Sequence, residues 1–399
     1  MTAPLRIRQV QIFRLAIPLR FRFEHAAAAR DTADPVVVRL AAEAPYPQHV
    51  GHGETVARPY VTGETAESVV EDVAEFLGPH LLEFRPTSFA EALEFIEALP
   101  SLNEGRVVNA ARAAVELALL DLAGHVFRRR AADVAGWMGL PGFGAPGCLA
   151  TARYSGAIVG RTRRRLTTLL RLQRWYGLRD FKIKVALEGW QQRLAWAHQL
   201  LGRAIAEGRV TLRADANGAW SLPELAAAAP MLEQSGISAL EQPLPESEDD
   251  QLPLLAGRTG CDLIADESMI TLADARRLLA AGGVQVLNIR IAKNGGLMPA
   301  LRMARMALAS ARDVQLGCLV GETSILTAAG IAFLEACPKV RFVEGAYGRF
   351  LLRGDVTRRP IRFRRAGRIF PRPGFGLGVD VSEAALQRLS LHPPRTLQL

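Results

Sequence analysis

The segment Phe181-Lys182-Ile183-Lys184-Val185 carries two amines two residues apart, so on an extended strand both leave the same face. Ammonium groups that close repel, and each lowers the cost of the other's neutral form. A lysine so placed can act as a general base near neutral pH, which an arginine cannot readily do. The composition sharpens the point. Only four of the 49 Lys and Arg residues are lysines (182, 184, 293 and 339), and half of them lie in this strand. Downstream, three apolar segments each end in a carboxylate: Leu212-Arg-Ala-Asp215-Ala-Asn217, Ala239-Leu-Glu241-Gln-Pro243 and Leu263-Ile-Ala-Asp266-Glu267-Ser268. They are spaced by 26 and then 25 residues, one strand-plus-helix unit each. A single Asp at such a junction is an ordinary helix cap. Three in register beside a lysine pair offer hard oxygen ligands for Mg2+, or Mn2+ in its place, with water or substrate completing an octahedron. A proton α to a carboxylate is too weakly acidic for an amine alone to remove in water. A divalent ion on that carboxylate stabilises the charge that develops.

The elements that must position these groups follow from the periodicity. Strand candidates fall near 149–155, 179–184, 209–215, 238–241, 262–266, 285–290, 314–318 and 340–344. Between most of them lie amphipathic segments such as Trp190 to Glu207, Leu222 to Gln234, Ala273 to Ala281 and Pro299 to Ser310. This alternation predicts parallel βαβ units closing into a TIM-type barrel, whose chemistry sits at the C-terminal strand ends. The front third reads differently. Strands are predicted over 5–14, 35–40 and up to Gly51-His-Gly-Glu54, and helices over 66–76, 88–98 and 106–128. The last is too apolar for a surface helix and should pack between domains. The segments Arg20 to Asp34 and Thr55 to Thr65 read as loops. A Gly- and Pro-rich stretch, 136–147, marks a boundary. The expected organisation is an α+β capping domain over 1–135, a barrel over 136–350, and a segment over 351–399 that returns to the capping domain.

With 399 residues, 49% hydrophobic and 22% charged, the chain can bury a sizeable core. A net charge of +9 raises the question of a nucleic-acid partner, but the arginines are scattered and form no phosphate-binding stripe. No apolar run reaches transmembrane length, and residues 1–9 lack a signal peptide's apolar stretch. Cys148, Cys261, Cys318 and Cys337 show no metal-ligand spacing and fit free thiols in a reducing cytosol. The expectation is a cytoplasmic enzyme with a small carboxylate as its partner, and neither nucleic acid nor membrane.

Lys182-Ile-Lys184, Asp215-Ala-Asn217, Glu241-Gln-Pro243 and Asp266-Glu267-Ser268, in that order, resemble the enolase superfamily and its muconate-lactonizing subgroup. Gly51-His-Gly-Glu54 and the tail Pro373 to Gly378 resemble it too, so the likeness covers nearly the whole chain. It implies a (β/α)7β barrel under an α+β capping domain, and often a homo-oligomer. It also implies one Mg2+ held by Asp215, Glu241 and Asp266, with Glu267 behind them. Lys184 matches the base that forms an enediolate, and Lys182 the neighbour that tunes it. The two capping segments would close over the substrate and set specificity.

Members of the subgroup carry a second lysine on the sixth barrel strand. Here that position, 24 residues after Asp266, is Arg290, a fixed cation and carboxylate clamp rather than an acid–base group. Lys293, three residues on, faces away on a regular strand and swings in only if the strand ends at Arg290. A single working base suits syn elimination of water or cycloisomerisation, whereas racemisation normally needs an acid on each face. The reading is therefore a one-base lyase, dehydratase or cycloisomerase. The alternatives are a two-base racemase or epimerase of an amino acid derivative, and a barrel that binds carboxylates without turnover. His25, Arg58 and Tyr60 in the capping segments are candidate substrate contacts. So are Ser155, Asn217, Lys293, Glu322 and Glu344 in the barrel.

Overall fold

The computed structural model describes residues 3–25, 28–145, 147–255 and 257–399; side chains of 23–29 and of Cys148 lie outside the described ones. The capping sheet has four antiparallel strands in the order Arg395–Gln398, Ile7–Arg14, Val36–Ala42 and Val50–Thr55. In the second of these Gln9 and Gln11 turn out and Val10 and Ile12 turn in, the period of a half-covered strand, while Ile7 is also buried because the pairing register shifts between Ile7 and Gln9. The C-terminal strand pairs with this strand, antiparallel, from Gln9 opposite Gln398 to Ile12 opposite Arg395.

The Asn109–Phe127 helix lies on this sheet and is buried all round from Asn109 to Gly124. The Gly51-His-Gly-Glu54 motif explains how it lies so close. A Cβ at Gly51 would strike the Ala118 carbonyl, and one at Gly53 the Ala114 carbonyl, so helix and strand backbones touch there. On the opposite side the helix meets the barrel: Arg112 donates to the Gly295 carbonyl at 2.5 Å, and Glu116 accepts from the Met298 amide at 2.8 Å. It sits between the two parts, as its composition requires.

One predicted loop is ordered. Residues 20–34 fall largely within a β-hairpin, Ile17–His25 paired with Ala28–Ala33. The alternation Leu19-Arg-Phe21-Arg-Phe23 is strand patterning that the alanine run beside it obscures. The segment 55–65 contains a short helical turn, Pro59–Thr62, closed by Gly63 in the left-handed region.

The second sheet holds eight parallel strands in sequence order: Gly156–Ile158, Asp180–Lys184, Thr211–Asp215, Ile237–Glu241, Asp262–Ala265, Val286–Ile289, Asp313–Leu316 and Phe342–Val343. A parallel bridge from Tyr154 to Val343, with the Ser155 amide on the Val343 carbonyl at 2.8 Å, joins first to last and closes the barrel. The first strand lies at 156–158 rather than 149–155, where Cys148–Ala150 forms a helical turn instead. Helices Trp190–Ala206, Leu222–Gln234, Leu272–Ala281 and Leu297–Ala309 follow the predicted segments within two residues. This is the expected (β/α)7β architecture with its antiparallel capping sheet.

Buried carboxylates join the two parts. Glu54 accepts from the Thr323 amide (2.7 Å), the Thr323 hydroxyl (2.7 Å) and the Leu326 amide (2.9 Å), at the N-terminus of the Ser324–Ala336 helix. Those orphan amides favour negative charge there. Burial nonetheless dominates and pushes the Glu54 carboxyl up to about 7.

Candidate active site

Strand order sets out the site as a row. Lys184 ends the second barrel strand and pairs in register with Asp215 on the third, which pairs with Glu241 on the fourth. Asp266 and Arg290 follow the last residues of the fifth and sixth. Lys184 and Arg290 therefore flank three buried carboxylates. Lys184 Nζ lies 2.5 Å from Asn217 Oδ1 and 3.3 Å from Asp215 Oδ2. Lys182, one layer deeper, reaches Glu344 Oε2 at 2.8 Å, Glu241 Oε1 at 3.1 Å and Asp215 Oδ2 at 3.3 Å. Burial works against its charge, but Glu241, Glu344 and Asp215 outweigh it and hold the ammonium on well above the ordinary lysine range. Lys182 is thus a fixed cation rather than one loosened by its neighbour, because three carboxylates sit closer than the repulsion argument from the strand alone supposes.

Two turns aim the carboxylates. Asn217 adopts a left-handed φ of 49°, which Asn tolerates, and its amide returns to Asp215 Oδ1 at 3.0 Å. Its Nδ2 donates to Glu267 Oε1 at 3.3 Å. Gln242 is also left-handed, with φ 37°; its Oε1 accepts from the Asp266 amide at 2.9 Å and the Ser268 amide at 3.2 Å. One side chain thereby ties the loops after the fourth and fifth strands together, a physical reason for Gln in Glu241-Gln-Pro243 and Ser in Asp266-Glu267-Ser268.

Beneath the mouth lies a buried polar layer whose Arg213, Asn288 and Gln315 lie outside the four motifs. Asn288 Nδ2 and Gln315 Nε2 donate to Glu241 at 3.1 and 2.9 Å. Arg213 bonds Gln315, Glu344 Oε1 (3.0 Å) and Ser155 Oγ (2.9 Å), and stacks 4.4 Å above the Phe342 ring. A signal existed: Arg213 precedes Asp215 by two and Asn288 precedes Arg290 by two, so each shares the inward phase of its strand. Below them Ala239, Ile264, Val286 and Phe342 form an apolar layer.

The remaining candidates divide by position. Ser155 and Glu344 belong to the buried layer, on Arg213 and Lys182. Glu322 accepts from the Leu319 amide at 2.5 Å and, with Tyr154 and Gly317, lines an enclosed cavity of about 10 Å³, room for one water. Burial pushes the Glu322 carboxyl up to about 8. Arg58 is a buried strut, bonded to Asp34 Oδ1 (2.8 Å), the Ala57 carbonyl (2.6 Å) and, across the interface, the Val320 carbonyl (2.6 Å). Tyr60, 39% exposed, lies within the fields of Arg58, Arg290 and Glu267. The His25 side chain lies outside the described residues. Lys293 does turn inward, because the strand ends at Ile289 and the chain turns through 291–295. Its Nζ is buried on the Asp266 carbonyl (2.7 Å), Asp266 Oδ1 (2.9 Å) and the Asn288 carbonyl (2.9 Å), while burial, and then Arg290, lower its pKa well below the ordinary lysine range.

Electrostatically the row suits a cation. Burial opposes the charge of Glu241, yet Lys182 and Arg290 hold its carboxyl below the usual range. Burial, then Asp215 and Glu241, push Glu267 up to about 7, and its Oε2 is buried without a hydrogen-bond partner. Among the described residues no three His, Cys, Asp or Glu side chains are already drawn to metal-ligand distance. The reason is that cations hold the oxygens. Arg290 Nη2 pairs with Asp266 Oδ2 and lies 3.6 Å from Glu241 Oε1, while Lys293 and Lys182 hold the outer lone pairs. Three hard oxygen donors and an orphaned carboxylate oxygen beside them are the donor chemistry a divalent ion takes.

A closed parallel barrel, a capping sheet and a mouth of carboxylates between basic side chains define a class of enzyme that moves protons next to carboxylates. Residues 166–385 match the family model "Enolase C-terminal domain-like", and residues 7–136 match "Mandelate racemase / muconate lactonizing enzyme, N-terminal domain". The chain belongs to the mandelate racemase/muconate lactonizing enzyme family of the enolase superfamily, whose members work with a divalent metal. A chloromuconate cycloisomerase from Pseudomonas putida is 26% identical over 341 residues, covering 86% of this chain and 88% of that protein. An L-Ala-D/L-amino acid epimerase from a Maribacter species is 28% identical over 378 residues, covering 94% and 100%. In fold, an N-succinyl Arg/Lys racemase from Bacillus cereus superimposes with a TM-score of 0.85 at 20% identity, covering 98% of this chain and 100% of that one.

Proposed function

We propose that Lys184 removes the proton α to the carboxylate of a small organic acid, and that the reaction then finishes on the same face, by elimination or by cycloisomerisation. Asp215, Glu241 and Asp266 would hold the divalent ion, Mg2+ or Mn2+. Bound there, that ion supplies a Lewis acid that steadies the substrate carboxylate as its α-carbon loses a proton. The chain's own residues do the rest. Asn217 and Asp215 fix the Lys184 amine at the mouth. Lys182 and Arg213 neutralise the buried layer that carries Glu241 and Glu344.

The observation that carries the one-face reading is the far end of the row. It holds Arg290, whose guanidinium is a poor acid–base group, while the amine of Lys293 is fully buried and held on three acceptor oxygens of Asp266 and Asn288. A two-base epimerisation is the second reading, favoured by the epimerase among the relatives. The test is α-proton exchange in D2O over a panel of acid sugars, N-acyl amino acids and muconates with Mg2+. Exchange that is retained in one configuration and lost in Lys184→Ala supports the proposal. Deuterium entering both enantiomers supports the second reading, and no exchange with any acid overturns both.

A further inference from the structure

Arg290 differs from the other cations of the site in how it is held. Its backbone is fixed: the amide donates to Asn294 Oδ1 at 2.9 Å, and its carbonyl accepts the Asn294 amide at 3.0 Å. Its stem lies over Gly317, where an added Cβ would come within 3.0 Å of Arg290 Cγ. The head is paired with carboxylates. Nη2 sits on Asp266 Oδ2 and near Glu241 Oε1, and Nε is buried with no partner. Those carboxylates are two of the three that would hold the divalent ion. Ion and guanidinium are both cationic and compete for the same oxygens.

We propose that Arg290 is a displaceable counter-ion: the divalent ion takes over Asp266 and Glu241, and the released guanidinium binds a second acidic group on the substrate. This rests on the ligand set given above. A buried guanidinium cannot stand unpaired, since uncompensated buried charge is strongly unfavourable. Glu322, from the loop after the adjacent seventh strand, feels its field, but burial and the neighbouring Glu54 favour the neutral carboxyl there. An incoming anion meets the requirement, and a planar guanidinium holds a carboxylate through two parallel hydrogen bonds. Lys184 and Arg290 lie at opposite ends of the row. A substrate carboxylate between them would thus present its α-carbon to the amine and its second acid to the guanidinium. The structure accordingly assigns dianionic acids, rather than simple monocarboxylates, as the substrate class.

Two measurements on the full-length protein test this without turnover. Mn2+ binding, read from the free-ion electron paramagnetic resonance signal, should tighten about tenfold in Arg290→Met and remain near wild type in Arg290→Lys, which keeps a competing charge. Calorimetry on the Mn2+-loaded proteins would compare straight-chain dicarboxylates of three to six carbons with monocarboxylates of equal length. Wild type should bind at least one dicarboxylate about tenfold tighter than its partner, and Arg290→Met should lose that preference. Unchanged or weaker Mn2+ binding in Arg290→Met overturns the counter-ion role, and equal binding of both acid classes to wild type overturns the substrate assignment. If neither wild type nor Arg290→Met binds Mn2+, the ligand set itself fails, a pattern distinct from wild type binding normally and Arg290→Met no tighter.

Discussion

Replacing Lys182 by methionine separates the two amines of the second barrel strand. The Lys182 side chain is 14% exposed and touches three carboxylates, at 2.8, 3.1 and 3.3 Å; that of Lys184 is 25% exposed and touches one, at 3.3 Å. Removing one partner of a buried ion pair leaves the others uncompensated and costs about 3–5 kcal/mol. Removing a partly solvated amine from a single carboxylate costs about 1 kcal/mol or less. Lys182→Met should therefore lower the free energy of unfolding by about 3 kcal/mol more than Lys184→Met does. Urea titration followed by tryptophan fluorescence, with EDTA present so that bound ions contribute nothing, reads the difference. Lys184→Met should fold nearly as well as wild type while its α-proton exchange falls by about 10²–10⁴. Equal destabilisation by the two substitutions would refute the assignment of Lys182 as the fixed cation of the buried layer and Lys184 as the partly solvated amine at the mouth.

Glu54 gives the interface between cap and barrel a pH dependence. Its folded value of about 7 lies above the ordinary 4.5, so the stability it lends is present in full below about pH 4.5 and is lost as pH rises through 7. The loss amounts to about 3 kcal/mol, and a urea series from pH 5 to 8 should show it in wild type and a flatter slope in Glu54→Gln. Gly53→Ala would drive a methyl into the Ala114 carbonyl of the central helix; a melting curve should register about 1–3 kcal/mol of destabilisation, despite the favourable strand propensity. Gln242→Leu deprives the Asp266 and Ser268 amides of their shared acceptor, so Mn2+ titration should show weaker binding along with a stability loss of about 1–3 kcal/mol.

The barrel was legible because short apolar-rich runs recur one strand-plus-helix unit apart and meet a carboxylate, at the end of 211–215 and 237–241 and just after 262–265. The first strand was misplaced because it spans three residues and closes the barrel through a bridge at Tyr154, which no local pattern encodes. Within the site, the residues at strand ends could be read from spacing. Their pairing could not, since that Lys182 reaches Glu344, from the eighth strand, depends on closure of the barrel. Arg58 shows the same limit. A loop cation near an anionic site looks like a substrate contact until the fold brings Asp34 and the Val320 carbonyl to it. For Lys293 strand alternation leaves two orientations open, and the end of the strand at Ile289 selects the inward one.

Anomalous diffraction from a crystal grown in Mn2+ tests the account at its centre. The prediction is one strong peak bounded by oxygens of Asp215, Glu241 and Asp266, with Lys184 Nζ facing the open side and Arg290 withdrawn from Asp266. A peak elsewhere, or Arg290 still seated on Asp266 beside an ion that uses other ligands, would contradict it.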